Sequence, residues 1–428
     1  MKIAIIGGGM AGLGAAYEIS RKKKNVEITI FEKSDQIGGL AFSKQIQGSF
    51  IEGFYHHLFP TYRDIIEVSK ELGIGEKLFF RKAKTANFIN GKIYSFSSGL
   101  DLLRYKPLRP FARVRTACAV VYLRLVRNWK KLEKFTAYEW FGKIFGKESF
   151  NIIWAPLLIS KFGEKAKEVG AVWLWGRIFE RPSSFGYFRE NGFETFIQAV
   201  KKYIESRGVE IKINSYVNSV VQKNDSFSLT LSDGFSDEFD QVIVAAPPMD
   251  FADIAKNLLS KKDLENITKL DYAGAVCALL ISNQSFSPYY WINVMDDAFP
   301  FVAVVEQTNF VGKENYGGMY PIYLSRYARK DSEFYNMTEE KLWPMFFESM
   351  KKINPDFKED WIKSKFLFKA PYTQPIVPTN YSDILPKYQT NVPGLWWVSM
   401  SHIYPWDRGT SHSFRIGREL ARELLKKI

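Results

Sequence analysis

Three glycines near the start of the chain have the spacing of a turn that binds dinucleotides. Gly7, Gly9 and Gly12 form the pattern G-x-G-x-x-G, and Glu32 follows twenty residues after the third glycine. The first glycine permits a tight turn, the second lets the backbone approach a pyrophosphate, and the third lets a helix pack against a strand. A carboxylate at Glu32 would accept hydrogen bonds from ribose hydroxyls and repel a 2′-phosphate. The spacing therefore predicts a site for an adenine dinucleotide.

This prediction requires a strand, a turn, a helix and a second strand around these residues. Residues 2–6 are an apolar run typical of a buried parallel strand, residues 13–23 have a helical pattern, and residues 26–31 are typical of a second strand. Met10 and Ala11 would stand at the helix N-terminus, where unpaired N–H groups and the helix dipole attract phosphate. The alternative is a glycine-rich turn in an unrelated sheet, which would not require the strand, the helix and the second strand around it.

The rest of the chain alternates between helical and strand patterns. Asn90 and Gly91 predict a type I′ turn in a hairpin over 87–96, and residues 99–181 are mainly helical. Further helices are predicted over 61–75, 193–207, 338–353 and 413–427, and further strands over 209–213, 216–221, 226–231, 239–245, 273–282, 301–308, 321–327 and 395–398.

Length and composition limit the class of protein. A chain of 428 residues exceeds one ordinary core and predicts two domains. The aromatic fraction of 16% suits a large apolar pocket or a surface that meets lipid, and suits an aromatic-rich core equally well. Two cysteines exclude a disulfide framework, and no metal-ligand spacing is present. Because the first strand begins at residue 2 and no apolar run reaches a membrane span, we expect a cytoplasmic protein.

Much of the net charge of +13 lies in one segment. Residues 104–134 contain ten Lys or Arg residues and one acid, Glu133. On a continuous helix, one face would carry Cys118, Tyr122, Leu125, Trp129 and Leu132, and the opposite face Arg113, Arg124, Arg127, Lys131 and Lys134. Such a helix is expected either to lie on an anionic membrane, at its inner face, or to form a solvated face over a buried stripe. No nucleic-acid-binding motif accompanies the charge, and the sequence makes no prediction about oligomeric state.

The glycine turn is followed by three further segments in a recognisable order. Gly38 and Gly39 come soon after Glu32, residues 52–57 read EGFYHH, and the chain ends in a strand, a loop and a helix over 394–428. Together with residues 192–248, these segments resemble the flavin-dependent superfamily of amine oxidases, protoporphyrinogen oxidases and phytoene-type desaturases, to which UDP-galactopyranose mutases are related. The likeness covers most of the chain but is loose over 99–181 and 265–375.

The resemblance implies FAD as the cofactor and a set of contacts to it. In relatives, the glycine pair approaches the pyrophosphate, the strand at Val217 contacts adenine, and the C-terminal segment wraps the flavin end. Relatives usually place Gly-Asp after the last strand, whereas this chain has residues 399–401, SMS, and its next acid is Asp407. The cofactor-binding residues implied are Gly7, Gly9, Met10, Ala11, Gly12, Glu32, Lys33, Gly38, Gly39, Leu40, Val217, Asp407, Arg408, Gly409 and Thr410.

The resemblance also selects candidates for catalysis and substrate binding. All four histidines of the chain fall in segments likened to flavin-proximal ones, and imidazole acts as acid, base or hydrogen-bond donor near neutral pH. His56 and His57 are the catalytic candidates, and the alternative is that each histidine only satisfies local backbone groups. Arg177, Arg181 and Arg189 could bind a phosphate or carboxylate of the substrate, or could be surface residues.

The expected fold class is α/β, with a Rossmann-like FAD-binding domain and a mixed α+β substrate domain. The FAD-binding domain combines a parallel sheet with a β-meander, and we assign it to residues 1–85, 187–262 and 380–428. The substrate domain then has a helical part over 86–186 and a β-rich part over 263–379.

Two functions fit these residues. The preferred one is an FAD-dependent oxidoreductase that transfers hydride from a bulky, largely apolar small-molecule substrate to flavin, as in desaturases and oxidases. The alternative is a non-redox mutase that acts on a nucleotide sugar. A mutase needs cationic groups for a diphosphate beside the flavin, whereas a desaturase needs an apolar tunnel.

Overall fold

A computed structural model describes residues 1–182 and 184–428 of the protein. The strands are β1 (Lys2–Ile6), β2 (Glu27–Phe31), β3 (Ser43–Ile46), β4 (Ser49–Glu52), β5 (Leu78–Arg81), β6 (Thr85–Ile89), β7 (Lys92–Ser95), β8 (Phe185–Phe188), β9 (Val209–Lys212), β10 (Val217–Lys223), β11 (Ser226–Leu231), β12 (Ser236–Phe239), β13 (Gln241–Val244), β14 (Tyr272–Ser282), β15 (Trp291–Val294), β16 (Ala303–Glu306), β17 (Tyr320–Ala328), β18 (Ile362–Pro375) and β19 (Leu395–Trp397).

The helices connect these strands and also form one separate block between β7 and β8. They are α1 (Met10–Lys22), α2 (Arg63–Glu71), α3 (Gly99–Leu103), α4 (Pro110–Leu125), α5 (Ala137–Phe145), α6 (Lys147–Ser149), α7 (Ala155–Phe162), α8 (Ala171–Glu180), α9 (Phe193–Glu205), α10 (Pro248–Ile254), α11 (Lys261–Thr268), α12 (Glu333–Asn336), α13 (Glu339–Ile353) and α14 (Thr410–Leu425). Within the described residues, no helix is both long and apolar enough to cross a membrane.

A five-stranded parallel sheet carries the N-terminal glycine turn. Its strand order is β19-β13-β1-β2-β9, so the first strand of the chain lies at the centre of the sheet. The apolar run over 3–6 is buried on both faces, as parallel strands between helices require. All five strands lie in the segments predicted for the FAD-binding domain, and the division into domains itself stays a prediction.

Two further sheets complete the α/β architecture. Strands β10, β11 and β12 form the predicted antiparallel meander. A seven-stranded sheet of order β18-β14-β17-β16-β15-β6-β7 contains the predicted hairpin, whose turn residues Asn90 and Gly91 both have positive φ, as a type I′ turn requires. The hairpin pairs in parallel with β15, so it belongs to the sheet of the β-rich part although it precedes the helical block in the chain.

The predicted continuous helix over the basic segment is wrong. Helix α4 ends at Leu125, and a short 3₁₀ helix over Trp129–Leu132 follows. The Trp175 indole nitrogen lies 3.2 Å from the carbonyl oxygens of both Leu123 and Val126, and its N–H donates to them. In a longer helix these two oxygens would instead accept from backbone N–H groups of the next turn. Leu132 is buried whereas Leu125 is exposed, so the two do not share a face.

The first and last long helices pack backbone against backbone. A Cβ on Gly14 of α1 would lie 2.2 Å from the Phe414 carbonyl oxygen, and a Cβ on Gly417 of α14 would lie 1.9 Å from that of Ala11. An ion pair fixes the same contact, since the Arg418 Nε lies 2.9 Å from a carboxylate oxygen of the fully buried Glu18. This contact fixes the C-terminal helix beside the N-terminal glycine turn.

Replacing Gly417 with alanine should lower the free energy of unfolding by more than about 2 kcal/mol, because the new methyl group would overlap the backbone of α1. The matched control is Gly142→Ala in α5, where a Cβ meets no heavy atom within 4 Å. That control should stabilise the protein by roughly 0.5–1 kcal/mol through helix propensity. Chemical denaturation of both variants measures the difference, and equal stabilities would contradict the packing argument.

Candidate functional site

The geometry of the N-terminal turn requires glycine at two of its three positions. Gly7 has a φ of +106°, and a Cβ there would lie 2.5 Å from the Ala245 carbonyl oxygen. A Cβ on Gly12 would lie 2.0 Å from the carbonyl oxygen of Gly7. The turn is therefore tight, and α1 packs directly onto it, as the spacing predicted.

Gly9 differs because the space beside it is open. Among the residues described, a Cβ there would meet only the Gly39 Cα, at an ordinary contact distance of 3.7 Å. The Gly38 N–H donates to the Gly8 carbonyl oxygen at 2.9 Å, so the second glycine pair lies directly against the first turn. Gly9 is also the N-cap of α1, and no side chain caps the N–H groups that follow, which include those of Met10 and Ala11. Free N–H groups, open space and a helix dipole together fit a pyrophosphate.

The carboxylate of Glu32 is held at the end of β2 by backbone donors. It is buried, and its oxygens accept hydrogen bonds from the N–H groups of Gly8 at 2.7 Å and Ser34 at 2.9 Å. The Ser215 N–H donates to the Glu32 carbonyl oxygen, which places the chain just before Val217 beside this carboxylate. This arrangement fits the predicted adenosine end of the cofactor. The exposed ammonium of Lys33 lies 3.5 Å from Asp250, and its predicted cofactor contact stays a prediction.

The C-terminal segment returns to the same region through α14. Gly409 is the N-cap of this helix and, as at α1, no side chain caps its first N–H groups. The Thr410 hydroxyl is buried without a hydrogen-bond partner among the described residues. An unpartnered hydroxyl at a free helix N-terminus fits a polar edge of a bound flavin. Leu40, also predicted to bind the cofactor, is half-buried in the short 3₁₀ helix Gly39–Ala41.

The structure separates the four histidines. His56 and His57 lie next to each other in the segment after β4, and burial lowers the pKa of His56 to about 4 and that of His57 to about 3. His412 pairs with Glu180 at 3.2 Å, and His402 is buried among Ser399, Tyr388 and Trp397. The two catalytic candidates are therefore neutral imidazoles at physiological pH. Each can accept or donate a hydrogen bond, but neither carries the additional proton of an imidazolium that could act as a general acid.

Aromatic rings surround His57. Its ring centroid lies 5.4 Å from that of Phe59, 4.6 Å from Phe185 and 6.0 Å from Trp291. Tyr290 completes this wall, and its hydroxyl lies 3.1 Å from the His57 Nδ1. The wall is apolar except at that hydrogen bond.

Asp407 and Arg408 belong to a polar cluster that sequence reasoning identified only in part. Both oxygens of Asp407 are engaged by protein: Oδ1 accepts from the Trp173 indole at 2.9 Å, and Oδ2 pairs with Arg177 and with Lys161, the latter at 3.6 Å. Arg408 donates to the Tyr327 hydroxyl at 2.7 Å. The predicted cofactor contacts of Asp407 and Arg408 stay predictions.

The partners of these two residues come from distant parts of the chain. Lys161 lies in α7, Trp173 and Arg177 in α8, and Tyr327 in β17. Among them, only Arg177 was a sequence candidate, because no local spacing connects a helical block to a strand and a C-terminal loop. Arg189, by contrast, is exposed, and its guanidinium lies over the ring of Phe79.

The fold is α/β, and its glycine turn and uncapped helix N-termini fit a dinucleotide. The sequence profile of flavin-containing amine oxidoreductases matches residues 10–425, and the chain belongs to this family. Membership of this family implies FAD as the cofactor. The fingerprint turn, the second glycine pair and the uncapped helix N-termini described above fit this cofactor.

Known proteins show how far the similarity extends. Coproporphyrinogen III oxidase of Staphylococcus aureus is 21% identical over 282 residues, which cover 57% of this chain and 60% of that protein. A candidate protoporphyrinogen oxidase from an Exiguobacterium species has a similar structure with a TM-score of 0.81 and 16% identity, covering 100% of this chain and 99% of the other. Reduced UDP-galactopyranose mutase gives a TM-score of 0.78 and 17% identity, with coverage of 100% and 94%. The two structural likenesses concern the fold.

Replacing Gly9 with valine should abolish FAD retention while the protein stays folded. The larger side chain would fill the space predicted for the pyrophosphate, yet a Cβ at this position meets only one protein atom within 4 Å. Flavin absorbance per protein after gel filtration and the far-UV spectrum measure the two effects. Gly99→Ala, at another helix start with open space around it, is the control and should retain FAD. Full flavin content in the valine variant would contradict the assignment.

The buried histidines should make stability depend on pH. The folded-state pKa of His402 is lowered to about 4 by burial, whereas the unfolded residue titrates near 6.5. Below pH 6.5, His402 binds a proton in the unfolded chain but stays neutral in the folded protein. The free energy of unfolding therefore falls as pH falls. Between pH 7 and 5.5 the wild type should lose about 1 kcal/mol more than His402→Gln. Denaturant titrations at both pH values measure this, and identical losses would contradict a neutral buried His402.

Proposed function

We propose that the enzyme transfers hydride from a bulky, largely apolar substrate to the flavin. The observation that carries this proposal is the aromatic wall beside His57, formed by Phe59, Phe185, Tyr290 and Trp291. Such a wall excludes water and gives an apolar substrate a surface to pack against. The relative named for coproporphyrinogen III oxidation supports a redox reaction on a large ring system.

The residues of the chain divide this work between cofactor and substrate. Backbone N–H groups at the starts of α1 and α14, with Glu32, would hold FAD, which supplies the hydride acceptor when bound. The neutral imidazoles of His56 and His57 would border the substrate, where a hydrogen bond between His57 Nδ1 and the Tyr290 hydroxyl orients His57. Because neither histidine carries charge, this side of the site stays apolar and suits removal of hydride from carbon.

A mutase reaction on a nucleotide sugar is the second candidate. The observation that favours it is the group of cations around Asp407, together with the likeness of fold to UDP-galactopyranose mutase. A diphosphate beside the flavin would need such cations. The aromatic wall favours the oxidoreductase.

We also propose that helix α4 rests on an anionic membrane surface at the inner face of the membrane. Its buried side carries Ala112, Thr116, Ala119 and Leu123. By contrast, Phe111, Val121 and Leu125 are 79%, 60% and 72% exposed and lie within an arc of about 80°. Ten Lys or Arg residues occur over 104–134, and the one acid, Glu133, is turned inward to the Tyr404 hydroxyl at 2.7 Å. An apolar stripe with basic flanks matches an anionic lipid surface. This arrangement would let an apolar substrate enter from lipid.

Anaerobic mixing of the FAD-loaded enzyme with a panel of isoprenoids, porphyrinogens, amines and nucleotide sugars tests the reaction. We expect rapid bleaching of the oxidised flavin band with an isoprenoid or a porphyrinogen, because these fit the aromatic wall. Bleaching by amines alone would contradict the substrate class. Turnover of a nucleotide sugar by pre-reduced enzyme, without net oxidation, would establish the mutase instead.

Replacing Phe111, Val121 and Leu125 together by serine should weaken binding to vesicles of phosphatidylglycerol and phosphatidylcholine by at least about ten-fold, because each side chain would bury apolar area in lipid. The matched control replaces the exposed Ile213 and Ile384, which lie outside the stripe, and should bind normally. Co-sedimentation measures both proteins. Absence of vesicle binding in the wild type would refute the membrane proposal.

A further inference from the structure

We propose that Lys161, Arg177 and Arg408 form a binding subsite for an anionic group of the substrate, a phosphate or a carboxylate. We call these three residues the cationic cluster. The inference rests on the proposed function, because it assigns a charged end to a substrate whose body is apolar. It assigns to one subsite two residues, Lys161 and Arg408, that sequence reasoning did not connect with substrate.

The cationic cluster is built from three separate elements that meet at one point. The Lys161 ammonium of α7 lies 3.1 Å from the Gln374 amide oxygen, and the Arg408 Nε lies 3.2 Å from the same oxygen. Arg177 of α8 pairs with Asp407, which also receives Lys161. The helical block, the edge strand β18 and the C-terminal loop therefore all contribute to one polar centre in a region otherwise walled by aromatic rings.

The charges of this centre do not balance. Three cations surround a single carboxylate, Asp407, and among the described residues no carboxylate lies within 4.0 Å of Arg408. Within the part of the chain that the structure describes, Arg408 forms hydrogen bonds only with neutral partners, the Tyr327 hydroxyl and the Gln374 amide. Uncompensated positive charge in a partly buried place is costly unless an anion arrives to pair with it. A bound phosphate or carboxylate would supply that charge.

The electrostatic effect of the cationic cluster reaches the groups expected to border the flavin. Burial is the largest cause of the lowered pKa of His56, and the charge of Arg408 is the next largest. The charge of Arg177 contributes to lowering the pKa of His57. Burial raises the pKa of the Tyr327 phenol, but Arg408 and Lys161 outweigh it and hold that pKa below its usual range. An anion bound to the cluster would therefore offset the effect of these cations on the pKa values of Tyr327, His56 and His57.

The ligand chemistry follows from the donors. The two guanidinium groups offer paired, planar N–H donors, and the ammonium offers a compact positive charge. Both kinds of donor match phosphate and carboxylate oxygens. The substrate thus has an apolar body against the aromatic wall and an anionic group against the cationic cluster. Such an amphiphile could also be held at a membrane by its body while its charged end enters the protein.

Titration of the FAD-loaded enzyme with inorganic pyrophosphate and with glutarate tests the subsite, with FAD occupying its own diphosphate site. We expect saturable binding of at least one probe, detected by calorimetry and by a shift of the flavin absorption band. Lys161→Gln and Arg177→Gln should each weaken that binding by about ten-fold or more, because each removes a charge-assisted hydrogen bond. Arg189→Gln removes an exposed arginine outside the cluster and should leave binding unchanged.

A second measurement does not depend on variants of the cluster. The wild-type enzyme carries tyrosine labelled with carbon-13 at Cζ, and the NMR signal of Tyr327 is the one that disappears in Tyr327→Phe. The bound probe should raise the pKa of Tyr327, because the anion offsets the charges of Arg408 and Lys161. Absence of saturable binding in FAD-loaded wild type, or binding unaffected by both variants with an unchanged Tyr327 titration, overturns the subsite. A protein that contains no FAD refutes the proposed function instead, so the two failures are distinguishable.

Discussion

The backbone contact between α1 and α14 is the constraint on which the site depends. Gly14 and Gly417 let the two helices approach until a side-chain carbon would overlap the opposite carbonyl oxygen. The buried carboxylate of Glu18 then receives Arg418 and Arg422, so the contact is polar as well as close. Breaking one partner of such a buried pair leaves an uncompensated charge, which is strongly destabilising. The two helix N-termini that would hold the cofactor are therefore fixed relative to each other before any ligand binds.

Local patterns in the sequence predicted the elements that carry the cofactor site, since the glycine spacing, the Asn90-Gly91 turn and the last strand each depend on neighbouring residues alone. The same reasoning failed where contacts between residues far apart in the sequence decide the structure. The helical periodicity past Leu125 fails because Trp175, fifty residues later, takes the carbonyl groups that would continue the helix. Strand β18 was not predicted, because its lysines and Pro371 interrupt the apolar pattern, and these residues suit an edge strand of the seven-stranded sheet.

The site combines two kinds of environment that usually exclude each other. On one side, burial keeps His56 and His57 neutral among aromatic rings. On the other, Asp407 holds Arg177 and Lys161 in place, and burial of these charges is tolerated because the carboxylate and the Gln374 amide pair with them. Asp407 thus has a structural role that its position after the last strand did not reveal. A substrate in this site would meet apolar walls and fixed charge within the same binding event.

The pairing of Glu18 with Arg418 joins residues 400 positions apart, and this has a consequence for synthesis of the protein in the cell. A nascent chain emerging from the ribosome displays its glycine turn long before α14, the helix that would complete the binding site. We therefore expect the cofactor to be fully enclosed only after α14 has emerged. Until then the carboxylate of Glu18 lacks its partner Arg418, and the face of α1 that packs against α14 is exposed.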